Sequence, residues 1–410
     1  MRTTMVRAGL GIVACVGLIG ASVAEVSACP FCAPSGNTLS NEVAQADMIL
    51  YGSLSNAKLD PQDSGFSKGT TDFHIEIVIK PHEVIKGKKT ITIPRYIPPE
   101  GRGYKYLIFF NVLPNGELDP YRGDAFPPDS RLPEYLQGAI AVRNKDATTR
   151  LKYFFRYLED KDLVISSDAY NEFAMADYKE IREVAPHFPP ETLLRWLADP
   201  NTRGSRYGLY GLLLGHCGKP EHARALRQLL EDKERQFASG LDGVLAGYIL
   251  LDPQEGWKYL TQLIRDDQEF PVKYAVLRTA RYFWEFRPDV IPHDKVLEVM
   301  KLLVAQPDIA DMPIEDLRKW KQWQLTPLIL SYASKPSHNT IPINMRAILK
   351  FAIAAAQADP KNAAAASFVA QARQQDAKRV EFLEELLKDE ERLLQSTSTP
   401  TPKDLPKLQK

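Results

Sequence analysis

The feature that most constrains this chain is an internal repeat in its second half. Leu226-Arg227-Gln228-Leu229-Leu230-Glu231-Asp232 aligns with Leu260-Thr261-Gln262-Leu263-Ile264-Arg265-Asp266 at an offset of 34 residues. The preceding segments keep step. Gly208 to Leu214 matches Gly243 to Ile249 at an offset of 35, and both stretches are small and apolar. One amphipathic helix can match another by accident, but two elements holding nearly one offset imply a repeated helix pair. Weaker copies follow in Tyr274 to Trp284 with Val296 to Leu303, and in Gln324 to Tyr332 with Met345 to Ala356. No pair can bury its apolar face alone, so stacking is required and yields one continuous core.

The first unit reads Arg206-Tyr207-Gly208-Leu209-Tyr210-Gly211-Leu212-Leu213-Leu214-Gly215, then Gly218-Lys219-Pro220-Glu221, then Ala225 to Asp232. That order resembles a HEAT-like α-solenoid: a first helix with small residues, a tight turn, and a second, Leu-rich helix. The resemblance covers roughly 150 to 360. It implies architecture far more than function. The helical period of 3.6 begins near Asp146, with Leu151, Phe154, Phe155 and Leu158 on one face. Ser166 and Ser167 are expected to cap a helix carrying Tyr170, Phe173 and Ala174, and Pro189-Pro190 to open one carrying Leu193, Leu194 and Leu197. Asp376 to Gln395 reads as a charged helix with an apolar line of Val380, Leu383, Leu386 and Leu387. Ser396 to Lys410, with its prolines among Ser, Thr and Lys, reads as a disordered tail.

Residues 41 to 112 follow a different rule. Phe73, Ile75, Ile77 and Ile79 alternate with Asp72, His74, Glu76 and Lys80, with only Val78 breaking the polar side. Asp47 to Leu54, Thr90 to Ile93 and Tyr104 to Val112 are further strand candidates. His82 to Ile85 is a continuation beyond the break at Pro81. Residues 113 to 133, with Pro114, Pro120, Pro127, Pro128 and Pro133, read as loop. The expected fold class is α+β multidomain: a small N-terminal β-barrel or sandwich followed by an all-α HEAT-like solenoid. The expected domains are 1–28 signal peptide, 29–133 β domain with its Pro-rich loop, 146–395 solenoid and 396–410 tail.

The signal reading rests on Arg2 and Arg7, the charge-free run Ala8 to Ala24, and the small residues of Ala21-Ser22-Val23-Ala24 and Val26-Ser27-Ala28. Val26-Ser27-Ala28-Cys29 resembles a bacterial lipobox, and ordinary cleavage after Ala24 or Ala28 fits as well. The protein is therefore expected to be exported, to the periplasm, cell envelope or extracellular space. Membrane attachment is expected only through a lipid on Cys29.

Cys29, Cys32 and Cys217 remain after such cleavage, too few for a disulfide framework. Cys29-Pro30-Phe31-Cys32 has redox-motif spacing but no preceding strand. A disulfide or N-terminal tether is the expected role, and redox or metal chemistry at Cys29 and Cys32 is the alternative. Cys217 is expected to be a buried free thiol. His216, Cys217 and His222 do not converge as ligands, because helical neighbours point about 100° apart. They read as a structural turn. The aromatic stretch of Tyr282, Phe283, Trp284, Trp320 and Trp323 reads as array core, with a binding groove as the alternative.

Cys29, Cys32, Ala46-Asp47-Met48-Ile49-Leu50-Tyr51-Gly52, Phe73 to Ile79 and Val84-Ile85-Lys86-Gly87 come in an order that resembles the tissue inhibitors of metalloproteinases and related netrin-like modules. The family motif is Cys-x-Cys where this chain has Cys-x-x-Cys, and the later pairing cysteines are missing. What the resemblance implies is an oligonucleotide-binding-type barrel over about 29 to 112.

Lys+Arg and Asp+Glu both number 52. A balanced chain offers no electrostatic footprint for nucleic acid. The expected function is a non-catalytic protein-interaction scaffold without a cofactor, its partner being a protein. The free outward positions Arg227, Gln228, Thr261, Gln262 and Arg265 are the candidate partner-binding residues, on the concave side between about 200 and 340. The alternative is an exported thiol- or metal-dependent protein, or a protease-inhibitor-like module acting through Cys29-Pro30-Phe31-Cys32.

Overall fold

A computed structural model describes residues 28–34, 36–62, 68–98, 103–232, 239–266 and 269–397. The export-signal reading, Ala28 apart, and nearly all of the tail reading lie outside the described residues.

Among the described residues the elements begin with helix α1 (Leu39–Gln45), then strands β1 (Met48–Leu59), β2 (Gly69–Lys80), β3 (Thr90–Ile93), β4 (Lys105–Val112) and β5 (Leu118–Phe126). These form a five-stranded antiparallel sheet in the order β3-β2-β1-β4-β5. The first helices after it are α2 (Leu132–Val142), α3 (Ala147–Phe155), α4 (Leu163–Ala174), α5 (Tyr178–Val184) and α6 (Pro190–Ala198). The repeat region holds α7 (Gly204–Cys217), α8 (Ala223–Glu231), α9 (Leu241–Leu251), α10 (Pro253–Arg265), α11 (Phe270–Phe286) and α12 (His293–Val304). The C-terminal part holds α13 (Asp311–Lys319), α14 (Thr326–Ser331), α15 (Pro336–Asn339), α16 (Pro342–Ala358), α17 (Ala363–Gln375) and α18 (Ala377–Thr397). The layout is α+β, with an N-terminal sheet and a helical remainder.

The sheet serves two cores. Met48, Leu50, Tyr106, Ile108 and Phe110 of β1 and β4 join Phe73, Ile91 and Ile93 in a cluster enclosed by the curled sheet. Their alternates Ile49, Tyr51, Leu107 and Phe109 belong to the helical core with Tyr135 and Leu136 of α2. Strands buried on both faces have no polar side to show, which is why β1 and β4 read as apolar runs rather than alternations. β2 passes from one core to the other at a bulge: Ile75 opposes Gly52 and packs on the first cluster, whereas Ile77 opposes Tyr51 and packs with Ile79 on the second. Gly52 permits the bend, since a Cβ there would meet the His74 carbonyl oxygen at 1.9 Å.

Three sequence expectations are corrected. The stretch 113–133 contains strand β5 and the start of α2. β5 is an edge strand in the sheet order, where Pro120 costs only a hydrogen bond that an outer strand does not need. His82 to Ile85 is a 3-10 turn, not strand. The helix carrying Tyr170 starts at Leu163, capped by Asp162, whose carboxylate accepts from Val164 N at 2.9 Å, so Ser166 and Ser167 lie inside it.

The repeat is built from backbone proximity. α7 and α9 are buried nearly all round and touch through glycines: a Cβ on Gly243 would stand 2.1 Å from the Gly208 carbonyl oxygen, and one on Gly247 would stand 2.1 Å from that of Gly211. α8 and α10 cover one side with Leu226, Leu260 and Ile264. The alternation stops after α12, where α13 intervenes before the next long helix, α16.

Candidate functional site

The far side of α7, α9 and α11 is covered by the chain's own N-terminal segment. Ala28 forms an antiparallel bridge with Asp177. Cys29 and Cys32 are joined by a disulfide, their Cα atoms 5.4 Å apart, and Cys32 N donates to the Cys29 carbonyl at 3.3 Å. Between them Phe31 is 5 % exposed and stands 5.0 Å, centroid to centroid, from Tyr282 of α11. Its carbonyl lies over Gly208, where a Cβ would approach to 2.7 Å. Arg278 Nη2 donates to the Pro30 carbonyl at 2.7 Å, while its Nε pairs at 2.9 Å with Asp242, a buried carboxylate of α9. Burial raises the Asp242 pKa and the guanidinium opposes that rise. Ala33 N donates to Tyr170 Oη at 3.2 Å.

Helix α1 continues the seat. Thr38 caps it, accepting from Asn41 N at 3.2 Å. Leu39 N donates to Asp168 Oδ1 at 2.6 Å, and Tyr135 Oη donates to Asp168 Oδ2 at 2.6 Å. Ser40 donates to Glu172, which faces Arg150 at 3.6 Å. At its other end Lys80 Nζ donates to the carbonyls of Val43 at 2.9 Å and Ala44 at 3.1 Å, and also to that of Ala46, the placement a helix C-terminus favours for a cation.

Ionisable groups near the seat are held in unreactive states. Desolvation pushes Asp168 up to about 6. Tyr178 Oη bonds Tyr282 Oη at 2.7 Å and His216 Nε2 at 3.2 Å. Burial pushes His216 down to about 3, with repulsion from Arg287 and Arg182 adding to it, so its imidazole is neutral near pH 7. Burial pushes the Cys217 thiol up to about 12. Cys217 is half-buried and is not bonded to another cysteine. His222 Nδ1 accepts from Lys219 N at 2.8 Å, closing the turn between α7 and α8. No group of three His, Cys, Asp or Glu among the described residues is placed to hold a metal. Cys29 Sγ cannot carry both a lipid thioether and the disulfide, so lipidation and this geometry exclude each other.

The five partner-binding candidates fall into two groups. Arg227 pairs with Glu231 at 2.7 Å and lies 3.6 Å above the Tyr259 ring. Thr261 Oγ1 donates to the Trp257 carbonyl of its own helix at 2.8 Å. Gln228, Gln262 and Arg265 are exposed. Of the aromatic stretch, Tyr282 and Phe283 are core, Trp284 stacks on Trp320 at 4.1 Å, and Trp323 borders an open groove. The residues that seat the N-terminus (Asp168, Tyr170, Asp242, Arg278) escaped the sequence reading. The one available signal was Asp242, a charged side chain inside an otherwise apolar repeat helix.

In comparisons with known proteins, no family model, no curated protein and no solved structure matches the chain. No helix among the described residues is long and apolar enough to cross a membrane.

Proposed function

We propose that this chain is an exported, non-catalytic interaction protein, a HEAT-like helical scaffold with a netrin-like β module folded onto its first helices. The observation that carries this reading is the occupied face of the array. The N-terminal segment fills the side of α7, α9 and α11 that α8 and α10 leave open, so the outward side of the repeat helices is what remains for a partner. There Gln228, Gln262 and Arg265 offer mixed hydrogen-bonding groups without the density of cations that phosphate recognition requires. The Cys29–Cys32 disulfide acts as a tether that keeps the segment compact in its seat.

The test is affinity capture from the exported fraction of the source cells with the whole mature protein, comparing wild type with a Gln228→Glu, Gln262→Glu, Arg265→Glu triple variant. Wild type retains a defined partner that the triple variant loses while its melting temperature holds. Equal capture by both sinks the surface assignment. A second reading, an exported thiol protein, draws on the part-exposure of Cys32. Catalytic turnover in a disulfide-reduction assay, abolished by Cys32→Ser, favours that reading over the scaffold.

A further inference from the structure

A groove of about 1240 Å³ opens between α13, α16 and α18, away from the N-terminal seat and from α8 and α10. Its floor is a stripe of α16, Ile343, Ala347, Lys350, Ala354 and Ala358, which recur at helical spacing on one face. The stripe runs about 22 Å at 1.5 Å per residue. The alanines keep the floor low, and the walls supply both apolar and charged groups.

The charges are not balanced across the groove. Glu315 and Glu390 are committed: Arg318 reaches them at 2.8 Å and 2.7 Å, and Lys350 at 3.0 Å and 2.9 Å. Asp311, on the wall, has no ion pair among the described residues, and burial raises its pKa. Lys319, Lys321 and Arg346 are exposed, and among the described residues no carboxylate lies within ion-pair distance of them. Against these three cations stand two carboxylates on the wall without an ion pair among the described residues, Asp311 and Glu391.

Lys321 adds an independent observation. It closes α13 with φ +58°, Lys321 N bonding Arg318 O at 3.0 Å and Gln322 N bonding Leu317 O at 2.9 Å. That is the left-handed position glycine normally takes at a helix end. A lysine is strained there, and strained backbone of this kind clusters at binding sites and switch regions. The apolar complement is Trp323 beside it, with Ile343 56 % and Leu393 67 % exposed on the groove.

We propose that this groove binds an acidic, amphipathic segment of a partner protein. Its apolar side chains rest on Ile343, Trp323 and Leu393, and its carboxylates face Lys319, Lys321 and Arg346. The surface is distinct from the α8–α10 stripe, so either assignment can fail alone.

The experiment uses the whole mature chain and fluorescence anisotropy. The probes are a labelled peptide with Glu and Leu at helical spacing, its Lys-for-Glu counterpart and its Ser-for-Leu counterpart. The Glu/Leu peptide binds, and its affinity falls as salt rises, since exposed charges are screened. Lys321→Glu with Arg346→Glu weakens it by about tenfold or more. Lys321→Gly separates binding from folding: it relieves the strained backbone and raises the melting temperature while lowering affinity. Equal binding of the Lys/Leu peptide, or unchanged affinity in the Lys321 and Arg346 variants, overturns the proposal. So does binding of phosphatidylglycerol vesicles, but not of the Glu/Leu peptide, with the same dependence on Lys321 and Arg346.

Discussion

At the scale of single residues, burial gives Asp168 and His216 opposite pH signatures. Asp168 is raised, so its native state favours the proton: that stability is complete below the ordinary carboxylate range and is lost as pH rises to about 6. Measured as wild type minus Asp168→Asn in urea unfolding, stability should fall by about 3 kcal/mol between pH ~4 and ~6 and stay flat above. A difference that grows with pH would show the Tyr135 and Leu39 hydrogen bonds outweighing desolvation. His216 is depressed, so its contribution is present above the ordinary imidazole value and lost as pH falls toward about 3. His216→Gln should therefore flatten the acid side of the stability profile below pH ~6. Cys217, pushed up to about 12, stays a thiol. Iodoacetamide at pH 8 should label it far more slowly in the folded protein than in urea, and mass mapping of the alkylated peptide checks this. Rapid labelling in the folded state would mean that the C-terminal turn of α7 opens.

At the scale of elements, the α7–α9 contact makes the sharpest test. A methyl group at Gly243 would strike backbone, which cannot move aside as a side-chain tip can. Gly243→Ala should cost at least about 1–3 kcal/mol, the range for overpacking. Gly204→Ala is the control: its nearest neighbour is Ser239 Cβ at 3.8 Å, and alanine should be neutral or stabilise the helix by up to about 1 kcal/mol. Thermal melts of the two variants decide it. These glycines were legible as repeat landmarks because close packing selects small residues at fixed intervals. Strand β2 was legible for a similar reason, its alternation being a direct projection of one buried side. β5 and α13 were not. β5 carries Pro120, Arg122 and Asp124 because one of its edges is unpaired in the sheet, and α13 is a short charged helix whose buried residues are only Pro313, Ile314, Asp316 and Leu317. The candidate sites were least legible of all. The N-terminal seat joins a segment without periodicity to side chains on three helices, α4, α9 and α11, and the groove is assembled from three helices that no local pattern links.

At the scale of the whole molecule, sheet and helices share an apolar core running from Ile49 and Phe109 through Tyr135 to the array. The sequence-based boundary near 133 to 146 falls on α2, whose Tyr135 and Leu136 lie inside that core. Limited proteolysis of the folded protein should accordingly release no stable fragment corresponding to 29–133, as mass spectrometry of the early products would show. A persistent fragment of that size would mean the sheet's enclosed cluster suffices alone.

The seat of the N-terminal segment also sets a schedule. The Arg278-to-Pro30 bond closes a span of 248 residues, and Phe31 meets Tyr282 over a similar distance. Synthesis is vectorial, so the segment around Phe31 must wait, without its Tyr282 partner, until α11 has emerged. Contacts this remote in sequence form late, after the loop entropy between them has been overcome. During that interval the disulfide between Cys29 and Cys32 closes a small loop around Phe31. This early-made segment is thus among the last to settle fully, and a chain cut short before α11 would leave Pro30 and Phe31 without Arg278 and Tyr282.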